Sequence, residues 1–337
     1  MNGETVMPPS ILSARHFFVV NPVSFGNRQK MEAIIAGVHR FFDAMDYSSP
    51  WAPPDYAVHI SRFPRDAICA IQRFANLVSS DAPLRVYAVG GNGILFDCLN
   101  GVVGLPNIEL GIMPYGEESD FYRVFGEENR DIFNSLERQT RAPSVPMDAL
   151  FCGSNYALNH CLIGLEALSS ANIRRIRERP TFLNRRLSGF SSTLRVNSVY
   201  FLGAMNAEIL RQNYRIWIDD ENLCGARAFI NISNSPWYAG KKYAIPEADP
   251  SDGWLDVLMS NNVGILNMFK VFNQYVNGHY AKYPHLLTYR RAKKVFLTSN
   301  SPLILDLDGE TFYDKYISVE IKPSVVRIID PTQVPQE

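Results

Sequence analysis

The sequence predicts an α/β domain built on a parallel sheet, followed by a second domain rich in antiparallel strands. Three observations carry this reading. From residue 15 to about residue 126, continuous apolar runs alternate with stretches of helical apolar spacing, the pattern of a parallel sheet covered on both faces. Pro143 and Pro146 in "QTRAPSVPMDALFCG" interrupt the alternation and mark a boundary. Beyond them the segments are short, strand-like runs with two helical stretches among them.

Each element has a local reason. "HFFVVNP" is an apolar run that stops at Pro22, as suits a buried strand. "RQKMEAIIAGVHRFFDAM" puts Met31, Ile34, Ile35, Val38, Phe41 and Phe42 at helical spacing. "YAVHIS" reads as a strand, and "PRDAICAIQRFANLVSS" as a helix with Pro64 at its start. "LRVYAVGG" and "ELGIMPYG" are strands, "ILFDCLNGVVG" is a helix between them, and "SDFYRVFG" starts another helix. After the prolines, "MDALFCGSNYALNHCLIG", "YRIWIDDE", "ARAFINISN", "WLDVLMS", "KKVFLTS", "LILDLDGE", "YISVEIKP" and "VVRIID" read as strands. The helical stretches run from Leu162 to about Leu187 and over "ILNMFKVFNQYVNGHY".

Composition sets bounds. A chain of 337 residues suits two domains. A net charge of -1 gives no bulk attraction to nucleic acid, so no nucleic-acid partner is expected. The five cysteines form no CxxC and are odd in number, which points to buried thiols in a reducing compartment. The N-terminus lacks a basic stretch followed by a long apolar one, and no run nears the roughly 18 apolar residues of a membrane span. A soluble, cytoplasmic protein is expected, with membrane contact only from the surface, at the inner face.

"VYAVGGNGILFDCLNG" raises a chemical question. Gly90, Gly91 and Gly93 stand between a strand and a helix. Glycines let backbone approach a ligand closely, and the first amides of a helix favour an anion. The plainer reading is a tight turn with no ligand. Five further segments accompany it, and together they resemble the diacylglycerol kinase catalytic family, which is related to sphingosine kinases and, more distantly, to NAD kinases. "VVNPVSFGN" is similar to the family's NPxSG segment at Asn21, Pro22, Ser24 and Gly26. "GGNGILFDCLNGVVG" resembles GGDGTxxEvxNG, with Asp97 and Asn100-Gly101 in place. "LGIMPYGEESDFYRVFG", "MDALFCGSNYALNHCLIGLEA", "NISNSPWYAGKKYAIPEADPSDGWLDV" and "LILDLDGE" resemble the remaining motifs in order.

The resemblance implies an NAD kinase/diacylglycerol kinase-like nucleotide domain over 14–147, completed by 312–332, and a C-terminal β-sandwich lipid kinase domain over 148–311. It implies transfer of the ATP γ-phosphate, with Mg²⁺, to a lipid alcohol such as diacylglycerol in a cleft between the domains. Homodimers occur among such relatives. Carried over residue by residue, it makes Glu310 the base, with Asp120 and Asp148 as further catalytic acids. Asn21, Ser24, Gly26, Gly90, Gly91, Asn92, Gly93, Gly116 and Glu117 fall in the nucleotide motifs. Asp252, with backbone oxygens of Asp249 and Trp254, falls at a structural Mg²⁺ site.

Each assignment has a plainer alternative that the residues leave open. Asp308-Gly309-Glu310 is also a hairpin turn sequence, Asp120 is also a helix cap, and Asp148 is also a loop carboxylate. Asp252-Gly253 is also a strand connection. Arg174, Arg175, Arg177, Arg179, Arg185 and Arg186 are either a solvated helix face or a contact for anionic head groups. Trp237 and Tyr238 either line a lipid entrance or belong to the core. His59 to Arg62 falls near the family's adenosine side.

The pattern departs from the family in two motifs. GGDGT reads GGNGI, so Asn92 replaces a carboxylate and Ile94 a hydroxyl. GTxND reads GEESD, which puts Glu117 where the family has a small hydroxyl. A carboxylate about 4 Å from a phosphate charge costs roughly 4 kcal/mol at an effective dielectric near 20. A cation between them, Lys241 and Lys242, or rotation into solvent would relieve this. The alternative function is a catalytically impaired relative that regulates by binding lipid or nucleotide.

Overall fold

In the first unit, which comprises residues up to Met147 together with those from Ser324 onward, four strands lie side by side in parallel. The structure, a computed structural model, describes residues 14–44, 56–78, 83–178, 212–240, 242–262 and 265–335. The strands are β1 (Arg15–Val20), β2 (Tyr56–Ile60), β3 (Leu84–Val89) and β4 (Ile108–Met113), in the order β2-β1-β3-β4. Helices α1 (Arg28–Asp43), α2 (Asp66–Leu77) and α3 (Asn92–Val102) connect them, and the short helices α4 (Arg130–Phe133) and α5 (Leu136–Arg141) follow. Ile328, near the end of the chain, adds a parallel pairing to Leu110 of β4.

The apolar runs explain the sheet. β3 is buried throughout, and Phe18, Val20, Phe42, Tyr87, Val89 and Met113 close one core with Ile329. Burying Phe42 alone contributes roughly 2–3 kcal/mol. Two polar residues inside the strands are matched. His16 Nδ1 meets the Tyr87 hydroxyl at 2.9 Å. The Arg85 guanidinium donates to the carbonyls of Thr140 at 2.8 Å and Ala142 at 2.9 Å and pairs with Glu109 at 2.8 Å, so it satisfies the open C-terminus of α5. One helix expectation fails: Phe121–Phe125 is a 3₁₀ turn. Gly126, with φ of 111°, ends the segment before an α-helix can develop.

The second unit, Asp148–Pro323, is antiparallel. Its strands are β5 (Ser144–Cys152, entering from the first unit), β6 (Asn155–Ala157), β7 (His160–Gly164), β8 (Gln212–Ile218), β9 (Glu221–Asn222), β10 (Gly225–Arg227), β11 (Phe229–Ser233), β12 (Trp237–Tyr238), β13 (Lys242–Tyr243), β14 (Leu255–Ser260), β15 (Leu287–Ala292), β16 (Lys294–Leu307) and β17 (Glu310–Ile329). Helices α6 (Leu165–Glu178) and α7 (Ile265–Val276) accompany them. One run reads β15-β14-β11-β7-β16-β17. β16 pairs with β8 through Val295 to Ser299 and with β7 through Leu305 to Leu307, with an irregular register between Thr298 and Leu303. A strand whose halves have different neighbours is the device by which chains pass between the layers of a sandwich.

Two corrections follow. Leu162 is a strand residue, paired with Asn231 on one side and Asp306 on the other, and the helix starts at Leu165 once Gly164 turns the chain at φ 79°. "YISVEIKP" and "VVRIID" form one strand interrupted at Ser324, where φ is 51°, next to Pro323. The apolar face of α7 covers a second core that includes Leu162, Phe229, Tyr238, Leu258, Val271 and Tyr275.

Candidate functional site

The glycine turn is built from backbone outward. Asn21 caps a 3₁₀ turn over Pro22–Phe25 by accepting the Val23 amide at 3.1 Å, and its own amide donates to Val89 O at 3.1 Å. This brings the Ser24 hydroxyl over Gly90, where an added Cβ would lie 2.7 Å from Ser24 Oγ. Gly26, at φ 70°, faces open space and borders an open hollow of about 570 Å³ lined by Pro22, Val23, Asn27, Arg28 and Met31.

Gly91 and Gly116 have a further task. A Cβ on Gly116 would come within 2.7 Å of Gly91 Cα, and one on Gly91 within 2.7 Å of the Glu118 carbonyl. Gly116 N donates to Gly90 O at 3.0 Å, and Asn92 N to Glu118 O at 2.7 Å. Two turns therefore touch backbone to backbone, which only glycine permits. The Asn92 amide, the first of α3, is engaged inside the protein.

Asn92 answers to Asp120. Its side-chain amide donates to Asp120 Oδ2 at 2.7 Å, and its carbonyl accepts the Asp120 amide at 3.0 Å. Both residues are buried. An aspartate at 92 would set two carboxylates against each other, so Asn is the residue this geometry favours. Ile94 is buried, whereas Glu117 and Glu118 extend into solvent. Arg130 steadies the second turn by donating to Pro114 O at 3.0 Å and Gly116 O at 2.6 Å. Asp97 accepts the Arg65 amide at 2.9 Å at the start of α2, and His59 pairs with Asp66 at 3.0 Å.

In the second unit, Asp308 and Gly309 turn the chain between β16 and β17 with φ of 49° and 92°. Two successive positive φ values are those of a type I′ hairpin. The buried Asp308 carboxylate accepts the amides of Leu158 at 2.7 Å, Asn159 at 3.0 Å and His160 at 3.0 Å. Burial raises its pKa, against the opposing pull of His160 and these amides. Asp306 accepts from the Ser170 hydroxyl and, at 2.9 Å, from the Gly309 amide. Glu310 is different. One oxygen accepts from Arg174 at 2.7 Å, and the side chain remains 19% exposed. The turn reading and the site reading of this motif are therefore compatible, because the turn delivers Glu310.

Asp148 is buried in β5, and its Oδ2 accepts the Gly253 amide at 2.6 Å. Its own amide donates to Pro250 O at 2.7 Å. Asp252 Oδ1 accepts the Trp254 amide at 2.9 Å, and Asp249 Oδ1 accepts from Ser251 N at 2.9 Å. The loop over 249–254 thus carries Asp249, Asp252 and Trp254, and Asp148 of β5 holds its Gly253 amide. The sequence set out in the first unit, from Asn21 to Asp120, meets around the glycine turn.

Residues 15–152 match the profile of the diacylglycerol kinase catalytic domain, and residues 191–330 that of the YegS C-terminal NAD kinase beta sandwich-like domain. The chain belongs to the diacylglycerol kinase catalytic-domain family. A Staphylococcus aureus (strain JH9) protein named "Putative lipid kinase" is 23% identical over 247 residues, 72% of this chain and 76% of that one. Two structures titled "putative diacylglycerol kinase" from Bacillus anthracis str. Sterne share the fold. One has a TM-score of 0.68 at 21% identity, covering 95% of this chain and 98% of its own. The other has 0.67 at 20%, covering 94% and 97%. The architecture is that of a diacylglycerol kinase-like α/β domain with a C-terminal β-sandwich-like domain. Among the described residues, no helix is long and apolar enough to cross a membrane.

Two features of this family member escaped the sequence reading. Arg174, read only as part of a basic cluster, is the partner of Glu310. The side chains of Arg175 and Arg177, and all of Arg179, Arg185, Arg186 and Lys241, lie outside the described residues. The second is Glu166, fully buried beside the hydroxyls of Tyr238 and Tyr275, with Lys242 and His160 nearby. Burial pushes its pKa up to about 7, against the pull of those groups. Lys242 lies over the rings of Tyr238 and Phe272, at 4.9 and 5.0 Å. Tyr238 is a core residue and Trp237 is half-buried against Tyr243. A single acid in "LIGLEAL" gives no periodic signal that would mark it.

Proposed function

We propose that this chain is an ATP-dependent lipid kinase that transfers the γ-phosphate to the hydroxyl of a diacylglycerol-like lipid. The observation that carries this reading is Glu310. Of the three acids in "DLDGE", Asp306 and Asp308 are buried and held by hydrogen bonds, while Glu310 keeps one oxygen with no partner among the described residues. A carboxylate so placed can take the proton of an attacking hydroxyl as its oxygen bonds to phosphorus and ADP leaves. Arg174 orients it. In the first unit, Ser24 and the open Gly26, beside the packed turn at Gly90, Gly91, Gly93 and Gly116, would face the phosphates, and Asn92 fixes Asp120. Mg²⁺ bound with the triphosphate shields its charge. Glu117 is exposed, so water and salt screen the repulsion expected from its sequence position.

A second reading, a binding protein without transfer activity, draws support from the Asn92 amide, which is closed off by Glu118 O. One experiment separates them. Full-length protein is incubated with labelled ATP, Mg²⁺ and vesicles containing diacylglycerol. Transfer is expected, with a loss of about 10²–10⁴-fold in Glu310→Gln at unchanged melting temperature. No transfer to any of a panel of lipid alcohols, together with no ATP-induced thermal shift, selects the binding protein.

A further inference from the structure

The family resemblance puts a divalent cation at Asp252, and the side chains around this loop carry the wrong charge for one. Arg291 donates from Nη2 to Asp252 Oδ2, and its Nε lies 3.6 Å from Asp256 Oδ1. The Lys293 ammonium donates to the Gly253 carbonyl and sits 3.7 Å from the centre of the Trp254 ring. Several of the other acceptors are also engaged. Asp252 Oδ1 takes the Trp254 amide, the Asp249 carboxylate takes the amide and hydroxyl of Ser251 at 2.9 and 2.6 Å, and Asp249 O takes the Asp252 amide at 3.4 Å.

This donor set does not fit the hard ion. Mg²⁺ demands near-octahedral oxygen ligation. Among the described residues, no three His, Cys, Asp or Glu side chains converge in a way that could hold a metal. A dication about 4 Å from an ammonium is repelled by roughly 8 kcal/mol at an effective dielectric of about 20, twice the figure for two unit charges. Arg291 cannot relieve this by losing its proton.

We propose that Arg291 and Lys293 do the work of the divalent cation in this loop. Arg291 neutralises Asp252, and Lys293 gathers the Gly253 carbonyl and the Trp254 face, while Asp148 holds the Gly253 amide from the other side. The loop over 249–254 is then indifferent to Mg²⁺, and any Mg²⁺ requirement of the protein arises from the nucleotide.

The test uses the nucleotide-free full chain with Mn²⁺ as the probe. Electron paramagnetic resonance titrations of wild type and Asp252→Asn are expected to give the same number of bound Mn²⁺. Wild-type melting temperatures in EDTA and in millimolar MgCl₂ are expected to agree within about 1 °C. In Arg291→Met/Lys293→Met, amide exchange over 249–254 is expected to speed up by roughly tenfold. Loss of one Mn²⁺ in Asp252→Asn overturns the proposal, as does a Mg²⁺-dependent rise in wild-type melting temperature that Asp252→Asn abolishes. Unchanged exchange in the double variant overturns it too. Should the double variant fail to fold, the Mn²⁺ count decides.

Discussion

Two Asp-Gly pairs in the second unit look alike in sequence and behave differently in the fold. Asp308-Gly309 forms a two-residue hairpin whose aspartate turns inward onto three consecutive backbone amides. Asp252-Gly253 forms a loop whose aspartate stays 29% exposed and meets a cationic side chain. The difference lies in what each carboxylate accepts from. Fixed amides hold a buried carboxylate through dipoles that are already oriented. Mobile cations at a surface hold one only loosely, because water competes for both. The same dipeptide is therefore a structural anchor in one place and a clamp that side chains can release in the other. In the anchored case, the catalytic candidate is the next residue, Glu310.

The contrast can be tested at four positions. The largest effect is the loss of phosphate transfer in Glu310→Gln described above, which sets the residue after the anchor apart from the anchor itself. Asp308→Ala should leave three buried amides without their acceptor and cost about 3–5 kcal/mol, read from the urea midpoint. A cost below about 1 kcal/mol would remove the distinction between the two turns.

Glu166 separates burial from amide support, since it is as buried as Asp308 but rests on tyrosine hydroxyls beside Lys242 and His160. Its folded pKa is raised above its unfolded value. Stability from this group is thus fully present below about pH 4.5 and is lost as pH rises through about 7. Glu166→Gln should gain about 3 kcal/mol over wild type at pH 8, and nothing at pH 4, in paired denaturant titrations. Asp252→Asn should be the mildest, below about 1 kcal/mol, because Arg291 and Asp252 are both partly exposed.

Much of this molecule was legible in its sequence. The parallel sheet followed from runs such as "HFFVVNP" and "LRVYAVGG", whose continuous apolarity leaves few alternatives. The hairpin at Asp308-Gly309 followed from turn chemistry. What stayed hidden has a common origin in neighbours distant along the chain. Leu162 carries the same apolar signal in a helix or a strand, and its pairing with Asn231 and Asp306 decides. Asn92 replaces a carboxylate of the family motif, and Asp120, the residue it meets, lies 28 positions away. Glu117 is exposed, which its position in the sequence does not reveal. Arg174 is separated from Glu310 by 136 residues, beyond the reach of any local pattern.

The Asp308 anchor also bears on how the protein is made. The amides it receives, at Leu158 to His160, lie about 150 residues earlier in the chain. During synthesis the start of β7 leaves the ribosome long before its acceptor exists. Contacts of such long sequence separation close slowly, so docking of the Asp308 turn onto the start of β7 is expected late in folding.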